Sequence, residues 1–188
     1  MSFIPDFELG LWNAWILIIP LIIFWISGVK FLFSKRMPEA TQPSEKRIKI
    51  LSILLVIIMF GSFIYSIFIP LKLGTIWLPT GLVVYLVGMV LIAITMINFA
   101  TTPMNKPVTK GVYHYSRNPM FIGWFFTCFG IAIACISWVY IVLTVLFILI
   151  TAYLSPFEEA MTLKHYGKTY KDYMERTPKW IGIPKSKK

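Results

Sequence analysis

The chain has 188 residues, 57% of them hydrophobic and 14% charged, with a mean hydropathy of +0.74. That is too apolar for a soluble domain of ordinary composition. The net charge of +10 is not set on a soluble surface with aromatic readers, which excludes a nucleic-acid partner.

The charges are clustered, as in a polytopic membrane protein. A hydrocarbon core of about 30 Å needs roughly 20 helical residues. Five segments meet or approach that length: Trp12–Phe31, Ile50–Pro70, Trp77–Phe99, Met120–Ile136 and Trp138–Leu154. The first is preceded by Asp6 and Glu8 and by no Lys or Arg, so it reads as a retained span rather than a cleaved signal. The fourth and fifth meet at Ser137 with no charge between them, the pattern of a tight helical hairpin. The expected fold is an all-α integral membrane protein of about five spans. It forms one domain over 1–188, with three spans in 1–99 and a loop, the hairpin and a cytoplasmic tail in 100–188.

Alternating these spans places every basic residue except Lys72 on one side. By the positive-inside rule that side is cytoplasmic, with the N-terminus outside and the C-terminus inside. Cys128 and Cys135 share the fourth span and read as small buried hydrophobes. No small-xxx-small spacing marks a helix–helix interface.

Two polar islands fall on the cytoplasmic side. One is Gly111–Phe121, GVYHYSRNPMF; the other starts at Glu158-Glu159 and runs through Tyr166-Gly167. They flank the hairpin, so Arg117–Phe121 and Ser155–Glu159 are expected to be neighbours. Each residue also has a plain structural reading. Ser155-Pro156-Phe157-Glu158 has the form of a helix start with a capping box. Gly167 suits the end of that helix, and Thr169 the cap of another running through Met174. Tyr166, Tyr170 and Tyr173 read as membrane-surface anchors. Arg117 could snorkel to phosphate, Asn118-Pro119 could be a turn before a helix, and Glu159 could be solvated or Lys-paired. Taken together, cationic and amide donors, aromatic faces and a carboxylate suit a zwitterionic aromatic ligand. No metal-ligand spacing, P-loop, GxSxG or GxGxxG is present.

The pattern GVYxxxRNPMF-x-GW, a hairpin, then EE, LKHYG and a Tyr-rich tail resembles the isoprenylcysteine carboxyl methyltransferase family and its prokaryotic relatives. Phospholipid N-methyltransferases are a related group. The resemblance runs from about Asn98 to Ile183. It implies a membrane methyltransferase that uses S-adenosylmethionine at the cytoplasmic face and acts on a lipid or small-molecule acceptor. No obligate protein partner is implied. Carried over by position, the cofactor residues are Tyr113, Asn118, Pro119, Met120, Phe121 and Glu158, with the strip Asn105, Lys106, Pro107 and Val108, and Asn98. Arg117 and Glu159 are the candidates for a catalytic role; His114 and His165 are further possible bases. Three departures stand out. Asn118 replaces a His, Phe121 replaces a Tyr, and Leu154 stands where the eukaryotic enzymes carry a substrate-binding Arg. Two other readings stay open: an NADPH-dependent reductase of the sterol-reductase type, and a non-catalytic lipid-binding membrane protein.

Overall fold

The computed structural model describes residues 7–28 and 46–185. The expected end of the first span at Phe31, the cations Lys30, Lys35, Arg36, Lys187 and Lys188, and Asp6 lie outside the described residues. The described chain is all-helical: α1 (Trp15–Gly28), α2 (Lys46–Ser66), α3 (Trp77–Ala100), a 3-10 turn (Gly111–His114), α4 (Pro119–Cys135), α5 (Trp138–Tyr166) and α6 (Lys168–Arg176). Helices α2, α3 and α5 are long and apolar enough to cross a membrane. The 17 residues of α4 extend about 25 Å at 1.5 Å each, short of a full core on their own.

Helix α2 shows the solvent for which the fold is built. Its buried residues are Ser62 and Ser66, while Ile53, Val56, Ile57, Phe60 and Ile64 are exposed. Each serine hydroxyl is satisfied locally, donating to Met59 O at 2.7 Å and to Phe63 O at 2.6 Å. An outward apolar face with small polar residues turned inward is the arrangement for lipid, where apolar exposure costs nothing and unpaired polar groups cost several kcal/mol.

Helices α3 and α4 pack antiparallel and in very close contact. The sequence showed no helix-contact motif, and the structure corrects that. Gly81 and Gly88 on α3 face Gly130 and Gly123 on α4. A Cβ on Gly81 would lie 2.6 Å from Gly130 O, and one on Gly123 would lie 2.7 Å from the Ile92 side chain. The spacing within each helix is seven residues, two turns, rather than four. It is the heptad counterpart of the small-residue contact, and the backbones approach because nothing stands between them.

The α4–α5 hairpin forms at Ser137. Ile136 turns the chain with a left-handed φ of 51°, and the Ser137 side chain accepts from Tyr140 N at 3.3 Å. The same end of the bundle holds the α2–α3 connection. There Lys72 N donates to Ala134 O at 3.1 Å, and Tyr65 and Ser137 share a hydroxyl contact at 3.1 Å. The antiparallel run of α3, α4 and α5 sends the other end of all three helices to the polar islands. Cys135 is buried, Cys128 is half-buried, and neither is in a disulfide.

At that polar end the helix boundaries differ from expectation. Ser155 does not start a helix. Helix α5 runs unbroken for 29 residues with Pro156 inside it, and Ser155 is fully buried. The seventeen residues before Ser155 are already helical, so the proline removes one backbone donor rather than opening a new helix. Gly167 does end α5, but with φ 56° and ψ −132° it is also the residue that begins α6, in place of Thr169. Helix α6 extends to Arg176, two residues past the expected end.

Candidate active site

Arg117, Asn118 and Glu159 meet at the base of the hairpin. Arg117 Nε lies 3.4 Å from Glu159 Oε1, with the two side chains only 12% and 10% exposed. Asn118 Nδ2 donates to the same carboxylate oxygen at 3.3 Å and to Lys179 O at 3.1 Å. Glu159 is therefore neither solvated nor paired with a lysine. Arg117 is held by protein rather than snorkelled to the surface. Asn118 precedes Pro119 at the first helical position, as expected, but its side chain makes no cap. Its amide is spent on Glu159 and the C-terminal segment instead, and its own N–H is taken by Ser116 Oγ at 3.0 Å.

The segment Pro178–Lys185 crosses the turn before α4 as a strap. Arg117 N donates to Pro178 O at 3.0 Å, Gly182 N to Tyr115 O at 3.2 Å, and Lys185 N to Arg176 O at 2.9 Å. The tyrosines of the tail also act inward. Tyr170 and Tyr173 are buried rather than membrane anchors. Tyr173 OH donates to Tyr113 O at 2.7 Å, and Tyr166 OH to Met104 O at 3.2 Å. One hydroxyl thus holds the 3-10 turn, and the other holds the residue before Asn105–Val108. Burial, followed by the neighbouring Tyr170 and Tyr113, pushes the Tyr173 phenol well up. Burial and then Glu159 push Tyr170 up to about 12. Both stay neutral donors at physiological pH.

The other candidates are placed as follows. Asn98, near the end of α3, packs on Gly111, whose φ is +60° and where a Cβ would lie 2.7 Å from Asn98 Cγ. Asn105 and Lys106 are exposed, Pro107 is buried and Val108 half-buried. Tyr113 and Phe121 are half-buried, Pro119 is fully buried, and Met120 packs against the core. Glu158 is exposed, one residue and about 100° of helix away from Glu159. His114 and His165 are both exposed. Leu154 is buried. The sequence reading missed Tyr173, Ser116 and the carbonyl of Lys179. The signal for the strap was Pro178, which ends α6 and leaves an extended segment behind it.

On the elements that carry the site, Asn98 Nδ2 and Ser155 Oγ are buried without a hydrogen-bond partner, and Arg117 Nε has only its 3.4 Å ion-pair contact with Glu159. Buried donors of this kind are rare in folded proteins, and a ligand is one of the few things that satisfies them.

The model of the phospholipid methyltransferase family matches residues 71–169, just over half of the chain. The chain belongs to the phospholipid methyltransferase family. That is the family of isoprenylcysteine carboxyl methyltransferase-like proteins, and it makes the chain a membrane methyltransferase in the general sense. The match begins in the α2–α3 connection and ends at the start of α6. It contains the glycine seam, both polar islands and the hairpin between them. No curated protein matches the chain closely enough to count as a relative.

Proposed function

We propose that this phospholipid methyltransferase family member uses S-adenosylmethionine, bound at the hairpin base, to methylate an acceptor that enters from the membrane. The observation that carries the reading is the meeting of Arg117, Asn118 and Glu159, together with the buried Asn98 Nδ2 that has no hydrogen-bond partner. Asn98 Nδ2 and the Arg117 guanidinium fit the carboxylate of a zwitterionic ligand, and the exposed Glu158 fits its ammonium. Tyr113 and Phe121 supply aromatic faces for an adenine or a sulfonium. When bound, S-adenosylmethionine would supply an electrophilic methyl group.

The protein's own contribution is alignment and the exclusion of water. The strap, Tyr166 and Tyr173 fix the backbone on which these side chains stand. Glu159 is engaged by Arg117 and Asn118, which makes it a positioning residue for both. A carboxylate or thiolate acceptor needs no base, whereas an amine must arrive deprotonated. Leu154, buried and apolar, offers nothing to a prenylcysteine carboxylate and speaks against that acceptor. The site end is cytoplasmic by the positive-inside rule.

The test is an acceptor screen with radiolabelled S-adenosylmethionine on detergent-purified protein supplied with lipid amines, small thiols and carboxylated lipids. Label transfer to one class supports the reading. NADPH oxidation with no label transfer overturns it in favour of a reductase.

A further inference from the structure

A second polar feature borders the end of the 3-10 turn. The end of that turn, α6 and the tip of the strap enclose an open cleft of about 730 Å³. His114, Arg176 and Lys185 line it, together with Tyr115, Tyr173, Thr169 and Thr177. Among the described residues no carboxylate lines it, and it contains none of Arg117, Asn118, Glu158 or Glu159. Arg176 Nε is fixed on Asp172 O at 3.0 Å, which orients the guanidinium and leaves its terminal nitrogens for another acceptor. Lys185 N bonds Arg176 O, so the strap tip and the end of α6 form one rim.

We propose that this cleft binds a phosphate-class anion. The donors come from three separate elements rather than from one planar fork. That suits a tetrahedral oxyanion better than a carboxylate. An anion here bridges Lys185 on the strap to Arg176 on α6. It thereby fastens the segment whose Lys179 carbonyl holds Asn118. The anion is either a lipid headgroup from the leaflet at this end of the bundle or free phosphate. The proposal does not depend on methyl transfer.

The experiment is calorimetric titration of the detergent-purified full chain with inorganic phosphate and, separately, with micelle-dispersed phosphatidylglycerol and phosphatidylcholine. The variants are Arg176→Gln/Lys185→Gln and, as a control, Lys171→Gln, an exposed cation of α6 outside the cleft. Saturable binding of phosphatidylglycerol but not phosphate identifies a lipid headgroup; binding of both identifies the anion alone. In either case the double variant is expected to lose about tenfold or more in affinity, as for lost charge-assisted hydrogen bonds, with Lys171→Gln unchanged. If the double variant does not fold, His114→Gln at an exposed position carries the same comparison. No saturable binding of either anion, equal binding of phosphatidylcholine, or an equal loss in Lys171→Gln overturns the proposal.

Discussion

Glu158 and Glu159 are neighbours in the chain with opposite surroundings. Glu159 is buried against Arg117 and Asn118, while Glu158 is exposed. The two alanine variants should therefore fail differently. Glu159→Ala leaves a buried guanidinium without its counter-charge, which costs about 3 kcal/mol, so the melting temperature of the detergent-purified protein should fall. Glu158→Ala should leave the melting temperature unchanged and weaken S-adenosylmethionine binding at least about tenfold, the loss of one charged contact. Tyr173→Phe removes one buried hydrogen bond, worth about 1 kcal/mol. Its signature should be a raised KM for the cofactor, because the Tyr113 backbone is released. Tyr170 adds a pH dependence. Its folded value of about 12 stands above the ordinary 10.0, so the folded state holds the proton more tightly. The stability it contributes is full below pH 10 and is lost as pH rises through about 12. An alkaline melting series on wild type and Tyr170→Phe reads that difference.

Among the elements, the α3–α4 seam is the part of the fold most sensitive to single atoms. Gly88→Ala would drive a Cβ into Thr127, and Gly130→Ala would drive one into the backbone of Tyr85. Each should cost about 2 kcal/mol, as for overpacking of a closed core. Gly61→Ala on α2 meets nothing within 4 Å and should be neutral in the same detergent unfolding titration. The seam also shows what sequence reading could reach. The three long spans α2, α3 and α5 and the Ser137 hairpin were legible because apolar runs and their breaks reflect the bilayer directly, while the first and fourth expected spans are shorter apolar helices among the described residues. The glycine contact was not, because a two-turn spacing between small residues is inconspicuous inside an apolar run. The Ser155 helix start was misread for the opposite reason. Its local capping signature is real, but a helix already seventeen residues long continues through it. The Arg117–Glu159 meeting followed from the hairpin. The roles of Tyr166 and Tyr173 did not, since a tyrosine near a membrane edge suits an anchor as well as a latch.

Taken as a whole, the molecule has two ends with different characters. One closes the bundle with backbone bonds around Asn13, Pro70 and Ser137. The other gathers the polar islands, the strap and the cleft lined by His114, Arg176 and Lys185. The family match, residues 71 to 169, covers the polar islands and the helices that carry them and stops before the strap. The proposed function requires the hairpin base to hold S-adenosylmethionine. The most direct test is calorimetric titration of the detergent-purified protein with S-adenosylmethionine, run on wild type and on Glu158→Ala. Saturable binding to the wild type and at least about tenfold weaker binding to the folded variant is the predicted result. No binding to wild type, or equal affinity in both proteins, would contradict the site as described.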